Sequence, residues 1–277
     1  MRELKNPKLA VPIVLVAGSF WSFGPYVVRN IDQAHTVPWQ YLFARGMVIF
    51  ILLNFYLYLE EGLGFLKNYS KIGVSGIIGG IGLAAAMITF IWSITNTTAA
   101  ITLLCLAAMP FITALLGFLF LKENISMNVW ISILIATVGI IIMAFGNHEK
   151  NTLIGFVLGI VSALGFSVFS VSLRWRKETP KFTTVALAGL ICFLVSSAVM
   201  ISKDLSFFSS SKNEALFAVH GTIVCLGMIL YAIASKTIPA AELTLLSLTE
   251  VIGGIFWVWL PWLGTVSYTN HRAHETS

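Results

Sequence analysis

The sequence predicts an all-α polytopic membrane protein with inverted five-helix repeats, ten helices expected and about nine present. Composition is the first reason. The chain is 57% hydrophobic and 10% charged, against roughly 25% charged residues in a soluble domain. It cannot present enough polar surface to water. The second reason is a series of apolar runs near the ~20 residues that cross a bilayer as a helix. The third is a self-match at a distance of about 140 residues.

Nine apolar segments stand out, at about 10–28, 38–59, 72–94, 98–120, 127–146, 152–173, 182–202, 214–234 and 239–260. The first follows "MRELKNPK" and resembles a signal peptide. Its apolar run continues through Val28, past any cleavage point, so an uncleaved helix is expected. The third carries Gly73, Gly76, Gly79, Gly80 and Gly82, a close-contact face of the kind helices need when lipid replaces water. The fourth contains Pro110, which removes a backbone bond and kinks the helix. The freed carbonyls either face a cavity or belong to a static kink. The stretch Gly146–Asn151 divides the chain, and the basic cluster "RWRKETPK" separates the sixth and seventh segments. Trp257, Trp259 and Trp262 close the ninth and read as an interfacial aromatic belt. The expected units are 1–148, the first repeat; 149–260, the second repeat lacking its last helix; and 261–277, a polar tail.

Lys and Arg placement sets the orientation. With the N-terminus in the cytoplasm, eleven basic residues fall inside and four outside. The isoelectric point near 9.2 therefore reflects basic cytoplasmic loops rather than nucleic-acid binding. Cys105, Cys192 and Cys225 sit in apolar runs without metal spacing, so no metal and no cofactor is expected.

The repeat is visible as ordered pairings. "AAITLLCL" (Ala99–Leu106) answers "AELTLLSL" (Ala241–Leu248). "IWSI" answers "LYAI", pairing Trp92 with Tyr231. "FWSFGPYVVR" answers "GFSVFSVSLR", pairing Trp21 and Ser22 with Phe166 and Ser167. A five-helix unit is odd, so its two copies lie in opposite directions across the membrane. Inverted repeats mark many transporters, with the substrate site near the midplane between the halves. Some channels share the feature.

"TTAAITLLCLAAMPFITALLGFLFLKE" (Thr97–Glu123), "IPAAELTLLSLTEVIGGIFWVWL" (Ile238–Leu260) and the arginine of "PWQYLFARG" resemble the EamA-type transporters of the drug/metabolite transporter superfamily. The resemblance runs from Ala10 to about Leu260. It implies a ten-helix inner-membrane carrier with cytoplasmic termini that exports amino acids and other small metabolites. It also implies that helices one, three, four, six, eight and nine wall a central cavity. The ending "PWLGTVSYTNHRAHETS" departs from that pattern. It stands where a tenth helix is expected, and reads as a truncated or frame-shifted C-terminus.

Several residues are candidates for chemistry. Glu250 is the twelfth residue of the ninth segment, near the midplane, where a charged side chain costs about 2.5–3.5 kcal/mol on insertion scales. It is expected to face the cavity, as a proton site or an anchor for a substrate ammonium. The competing reading is a protonated glutamate bonded to a neighbouring helix. Arg45 lies about 12 Å deep at 1.5 Å per residue. It suits a substrate carboxylate, or Glu250 itself; snorkelling to the interface is the alternative. His220 suits a proton relay, or is a hydrogen-bonded packing residue. Trp21, Trp92, Phe166 and Tyr231 form two repeat-related aromatic pairs that either line a cavity or sit at membrane interfaces. Ser22 and Ser167 accompany them as hydrogen-bonding groups for substrate or backbone.

The expected function is secondary transport of a small metabolite, most simply amino-acid export by alternating access, with protons as candidate coupling ion. The expected location is the inner membrane, and a homodimer is allowed. A channel would need a ring of polar residues or a filter loop, and a non-transporting scaffold is the other alternative. The sequence lacks H-E-x-x-H, G-x-S-x-G and P-loop patterns, which argues against an enzyme.

Overall fold

The protein was analysed as a computed structural model. It describes residues 7–123, 126–128, 130, 131, 134, 135, 138, 150–176 and 178–259. The helices are α1 (Ala10–Trp21), α2 (Gly24–Asn30), α3 (Pro38–Glu61), α4 (Leu66–Ser70), α5 (Gly73–Asn96), α6 (Ala99–Leu106) and α7 (Met109–Leu116). They continue with α8 (Lys150–Trp175), α9 (Lys181–Ser202), α10 (Ser211–Ala234), α11 (Ala240–Ser247) and α12 (Thr249–Trp259). Among the described residues there is no strand, and seven helical stretches are long and apolar enough to cross a membrane. The architecture is all-α and polytopic. Most of the fifth expected segment and the polar tail lie outside the described residues.

Three expected spans are broken, each for a readable reason. In the first, α1 gives way to α2 at Ser22 and Phe23. Ser22 Oγ donates to the Ser19 carbonyl at 2.6 Å, and Pro25 in the first turn of α2 has no N–H to give. In the fourth, α6 tightens into i−3 bonds from Ala107 to Leu104 and from Ala108 to Cys105, and Pro110 opens α7. The ninth has no proline at its break. There Ser247 and Thr249 hydroxyls donate to the Thr244 and Leu246 carbonyls at 2.8 and 3.2 Å, a competition that weakens helical bonding. Leu248 and Val251 N–H groups fall back on i−3 acceptors.

Packing is closest where glycine admits a backbone. α5 crosses α8 at Gly82 and Gly165: a Cβ on Gly82 would lie 2.8 Å from the Gly165 carbonyl oxygen, and one on Gly165 2.6 Å from that of Gly82. α3 crosses α9 in the same way at Gly46 and Gly189, at 2.8 and 3.0 Å. α1 packs mainly on α10. The glycine face of α5 thus works as expected at Gly76, Gly79, Gly80 and Gly82. Gly73 differs: it has a φ of +60° and no neighbour within 4 Å, so it serves the backbone turn into α5.

Hydrogen bonds tie the two ends of the bundle. At the end shared by the C-termini of α8 and α10 and the N-termini of α9 and α11, which we call the N end, Arg174 pairs with Glu123 at 2.6 Å. Arg174 also donates to the carbonyls of Ser235 and Ile238 at 3.1 and 2.7 Å, while Glu123 accepts from the Ala240 N–H at 3.2 Å. At the far end, Asn213 bridges to the Asp32 backbone in both directions, at 2.9 and 3.1 Å. Gln40 there donates to the Ser206 carbonyl at 3.0 Å. Outside, Phe55, Phe118, Ile154 and Leu194 are exposed, as suits helices whose solvent is lipid.

Gly82→Val drives a branched side chain into the Gly165 backbone, and overpacking of this kind costs about 1–3 kcal/mol. Gly64→Ala meets nothing within 4 Å. Melting of the two purified variants in detergent should show a clear loss for the first and little change for the second.

Candidate functional site

A small cavity of about 60 Å³ lies in the bundle. Leu83, Met87 and Phe90 of α5, Met109, Phe166, and Val224 and Met228 of α10 give it an apolar wall. Trp21 lines it at the α1 break, and Glu250 from the first turn of α12. Arg45, His220 and Ser162 are the other polar side chains in the lining. Two of the three broken spans therefore contribute to it at their breaks with Trp21 and Glu250, and the third with Met109 beside Pro110.

Arg45 is 3% exposed and does not snorkel. Its Nη2 donates to the Met87 carbonyl at 3.2 Å, its guanidinium lies 5.6 Å from the centroid of the Tyr41 ring, and its Nε has no partner. No carboxylate lies within 4.0 Å of it among the described residues. Glu250 lines the same cavity, so a guanidinium and a carboxyl group share one apolar chamber without contact. His220 is fully enclosed. Its Nδ1 is bonded to the Tyr41 hydroxyl, its ring stacks on Tyr41 with centroids 5.8 Å apart, and its Nε2 points at Gly24, a neighbour in the cavity wall.

The comparisons with known proteins agree with one another. Residues 8–145 match the EamA-like transporter family. An "Uncharacterized transporter" of Helicobacter pylori (strain J99) is 24% identical over 227 residues, covering 79% of this chain and 75% of that protein. "Uncharacterized transporter YojE" of Bacillus subtilis (strain 168) is 23% identical over 248 residues, covering 84% and 80%. The chain belongs to the EamA-like transporter family. A protein of solved crystal structure superposes on this EamA transporter with a TM-score of 0.71 at 19% identity, covering 94% of this chain and 91% of that one. A likeness at that identity speaks for the fold alone.

Of the residues singled out by sequence, the EamA transporter brings Glu250, Arg45, His220, Trp21 and Phe166 to one cavity. Tyr231 lies behind them, its ring centroid 5.4 Å from Trp21 and 5.2 Å from Phe166, and its hydroxyl is bonded to Ser170 at 2.6 Å. Ser167 donates to the Met109 carbonyl at 3.1 Å, so it supports the break before Pro110. Ser22 accepts from Trp257 Nε1 at 2.9 Å, and Trp257 stacks on Phe23. Trp257 is thus bound to the α1 break, not only an interfacial anchor. Trp92 stands apart: it packs on Trp39 at 5.3 Å. Tyr41 was missed by sequence reasoning. Its signal was the i, i+4 spacing to Arg45, which puts both on one helix face.

Tyr41→Phe leaves His220 Nδ1 buried without its partner, a loss of about 1–3 kcal/mol. Thermal unfolding of the purified variant, compared with Tyr41→Phe/His220→Phe, checks this. The double variant, with no orphaned nitrogen, should recover part of the loss.

Proposed function

We propose that this membrane transporter is a secondary carrier of a small zwitterionic metabolite, most simply an amino acid, moved outward by alternating access. The observation that carries the reading is the separation of Arg45 and Glu250 across one largely apolar cavity. A ligand with a carboxylate and an ammonium satisfies both groups at once. Trp21 and Phe166, edge to face at 5.5 Å, offer an apolar surface to its side chain. Such a lining fixes orientation with few polar groups and leaves the substrate side chain loosely specified.

Two repeats, 1–148 and 149–260, related by inversion, fit the packing. The third span lies on the sixth and the first on the eighth; the fourth lies on the sixth and the first on the ninth. Exchanging each span with the one five places on maps these contacts onto one another. Broken helices facing a midplane site are a recurrent transporter device. Glu250 is the candidate proton site, since an intramembrane carboxylate facing a cavity is where coupling ions bind. The Glu123–Arg174 network is the candidate N-end gate, because it holds four helix ends with one ion pair. The basic-residue bias supports an N-in orientation in the inner membrane.

An amino-acid efflux screen in cells, followed by uptake into proteoliposomes, tests the reading. Arg45→Met should raise the half-saturation concentration about 30-fold, the loss of about 2 kcal/mol for a severed buried charge pair. Amines without the carboxylate should lose far less. Glu250→Gln should stay folded and lose the pH dependence of transport; unchanged flux and pH profile would rule out its proton role. Glu123→Gln should make a cysteine placed in the cavity more reactive from the N end, read by alkylation rate. Unaltered reactivity there would remove the network as a gate.

A further inference from the structure

A second cavity, of about 310 Å³, opens at the N end between the last turns of α3 and α10 and the first turn of α9. Its charged lining consists of Glu60 and Glu61 from α3, Lys181 from α9 and Lys236 just after α10. Lys181 is 4% exposed. Its Nζ donates to Ser235 Oγ at 3.0 Å, and no carboxylate lies within 4.0 Å of it among the described residues. The nearby Arg174, which shares Ser235, is committed to Glu123. Lys181 Nζ makes one hydrogen bond to the protein, so donor capacity remains on the α9 and α10 wall for anionic oxygens in the cavity.

The opposite wall has the opposite sign. Glu60 is exposed and has no ion-pair partner among the described residues. Glu61 accepts one bond, from Asn68 Nδ2 at 2.8 Å. A simple anion would meet two carboxylates there; a group carrying an ammonium beside its anionic oxygens would meet complementary charge on both walls.

The level of the cavity indicates where such a group comes from. α3 runs directly into the turn Gly62–Phe65 and then α4. Leu63 and Leu66 on this segment are 74% and 57% exposed, with Lys67 beside them. Exposed leucines next to lysine at the end of a membrane-crossing helix are the pattern of a segment lying in the interface, the depth of phospholipid headgroups. We propose that this cavity binds a phosphoethanolamine group, its phosphate oxygens on Lys181 and Lys236 and its ammonium on Glu60 and Glu61. The group is supplied either as the headgroup of phosphatidylethanolamine or free from solution.

Native mass spectrometry of the full chain in detergent, with phosphatidylethanolamine, phosphatidylglycerol and phosphatidylcholine added in turn, tests this. Phosphatidylethanolamine should be retained about fivefold better than phosphatidylcholine, whose quaternary ammonium has no N–H to donate, a difference of about 1 kcal/mol. Lys181→Met should lower retention of phosphatidylethanolamine and phosphatidylglycerol alike. Glu60→Gln should lower phosphatidylethanolamine retention alone, and as a rim substitution it keeps the test available where Lys181→Met does not fold. Displacement by free phosphoethanolamine assigns the site to the soluble group; resistance to it assigns the site to the lipid. Both uphold the chemistry. Equal retention of the three lipids, or wild-type retention by Glu60→Gln, overturns the proposal.

Discussion

A bilayer offers no water to a backbone carbonyl, so every break in a membrane helix must be answered from within the protein. Much of this structure follows from that constraint. The hydroxyls of Ser22, Ser247 and Thr249 take carbonyls at or beside the breaks themselves. Across helices, Ser167 takes the Met109 carbonyl beside Pro110, Ser162 that of Ala86, and Trp21 that of Val224. The cations follow the same rule: Arg45 takes Met87, and Arg174 takes Ser235 and Ile238. These bonds join separate spans, so satisfying the backbone and assembling the bundle are one process. The glycine crossings are its counterpart, since the backbones must approach closely before short side chains can reach.

The breaks in the fourth and ninth spans stand at nearly matching positions but have different chemistry. Pro110 forces one by withholding an N–H. Ser247 and Thr249 produce the other by competing for carbonyls. The second solution needs no proline, and Glu250 follows directly on the break. On the proposed repeat, its counterpart is Ala108. One half thus supplies backbone geometry at this level and the other supplies geometry together with a charge.

What was legible in the sequence depended on how large a penalty each residue would otherwise incur. Glu250 and Arg45 stood out because an ionisable group within a bilayer is expensive unless it faces a cavity, and both do. Spans were legible because helix length is fixed by bilayer thickness. Internal matching singled out Trp21, Phe166 and Tyr231, but it paired Tyr231 with Trp92 rather than with the two rings it packs on. Trp92 shows where that method ends: a matched position in the half does not carry a matched environment when its neighbour is Trp39. Tyr41 was hard to read because a phenol is tolerated at many depths, and its role comes from its bond to His220 and its ring against Arg45. The break at Leu248 was hidden for a subtler reason. Serine and threonine disturb a helix only in the rotamers that reach back for a carbonyl, and here Thr249 Oγ1 lies against α1 at Gly18.

The charge arrangement of the central cavity is informative because it is incomplete. Had Arg45 and Glu250 met, they would neutralise each other, and a substrate would have to break a buried ion pair to bind. Arg45 is instead held by the Met87 carbonyl and the Tyr41 ring, which satisfy part of its donor set and leave Nε without a partner. Tyr41 is in turn fixed through His220. The guanidinium is thus oriented before any ligand arrives. On the proposed function, a substrate carboxylate then supplies its missing counter-charge. Such a site discriminates strongly against ligands that lack one charge, because they leave a buried group unpaired. It discriminates weakly among side chains that meet only the apolar wall. That division, strict for the zwitterion and permissive for the rest, suits a carrier of a metabolite class better than a carrier of one compound.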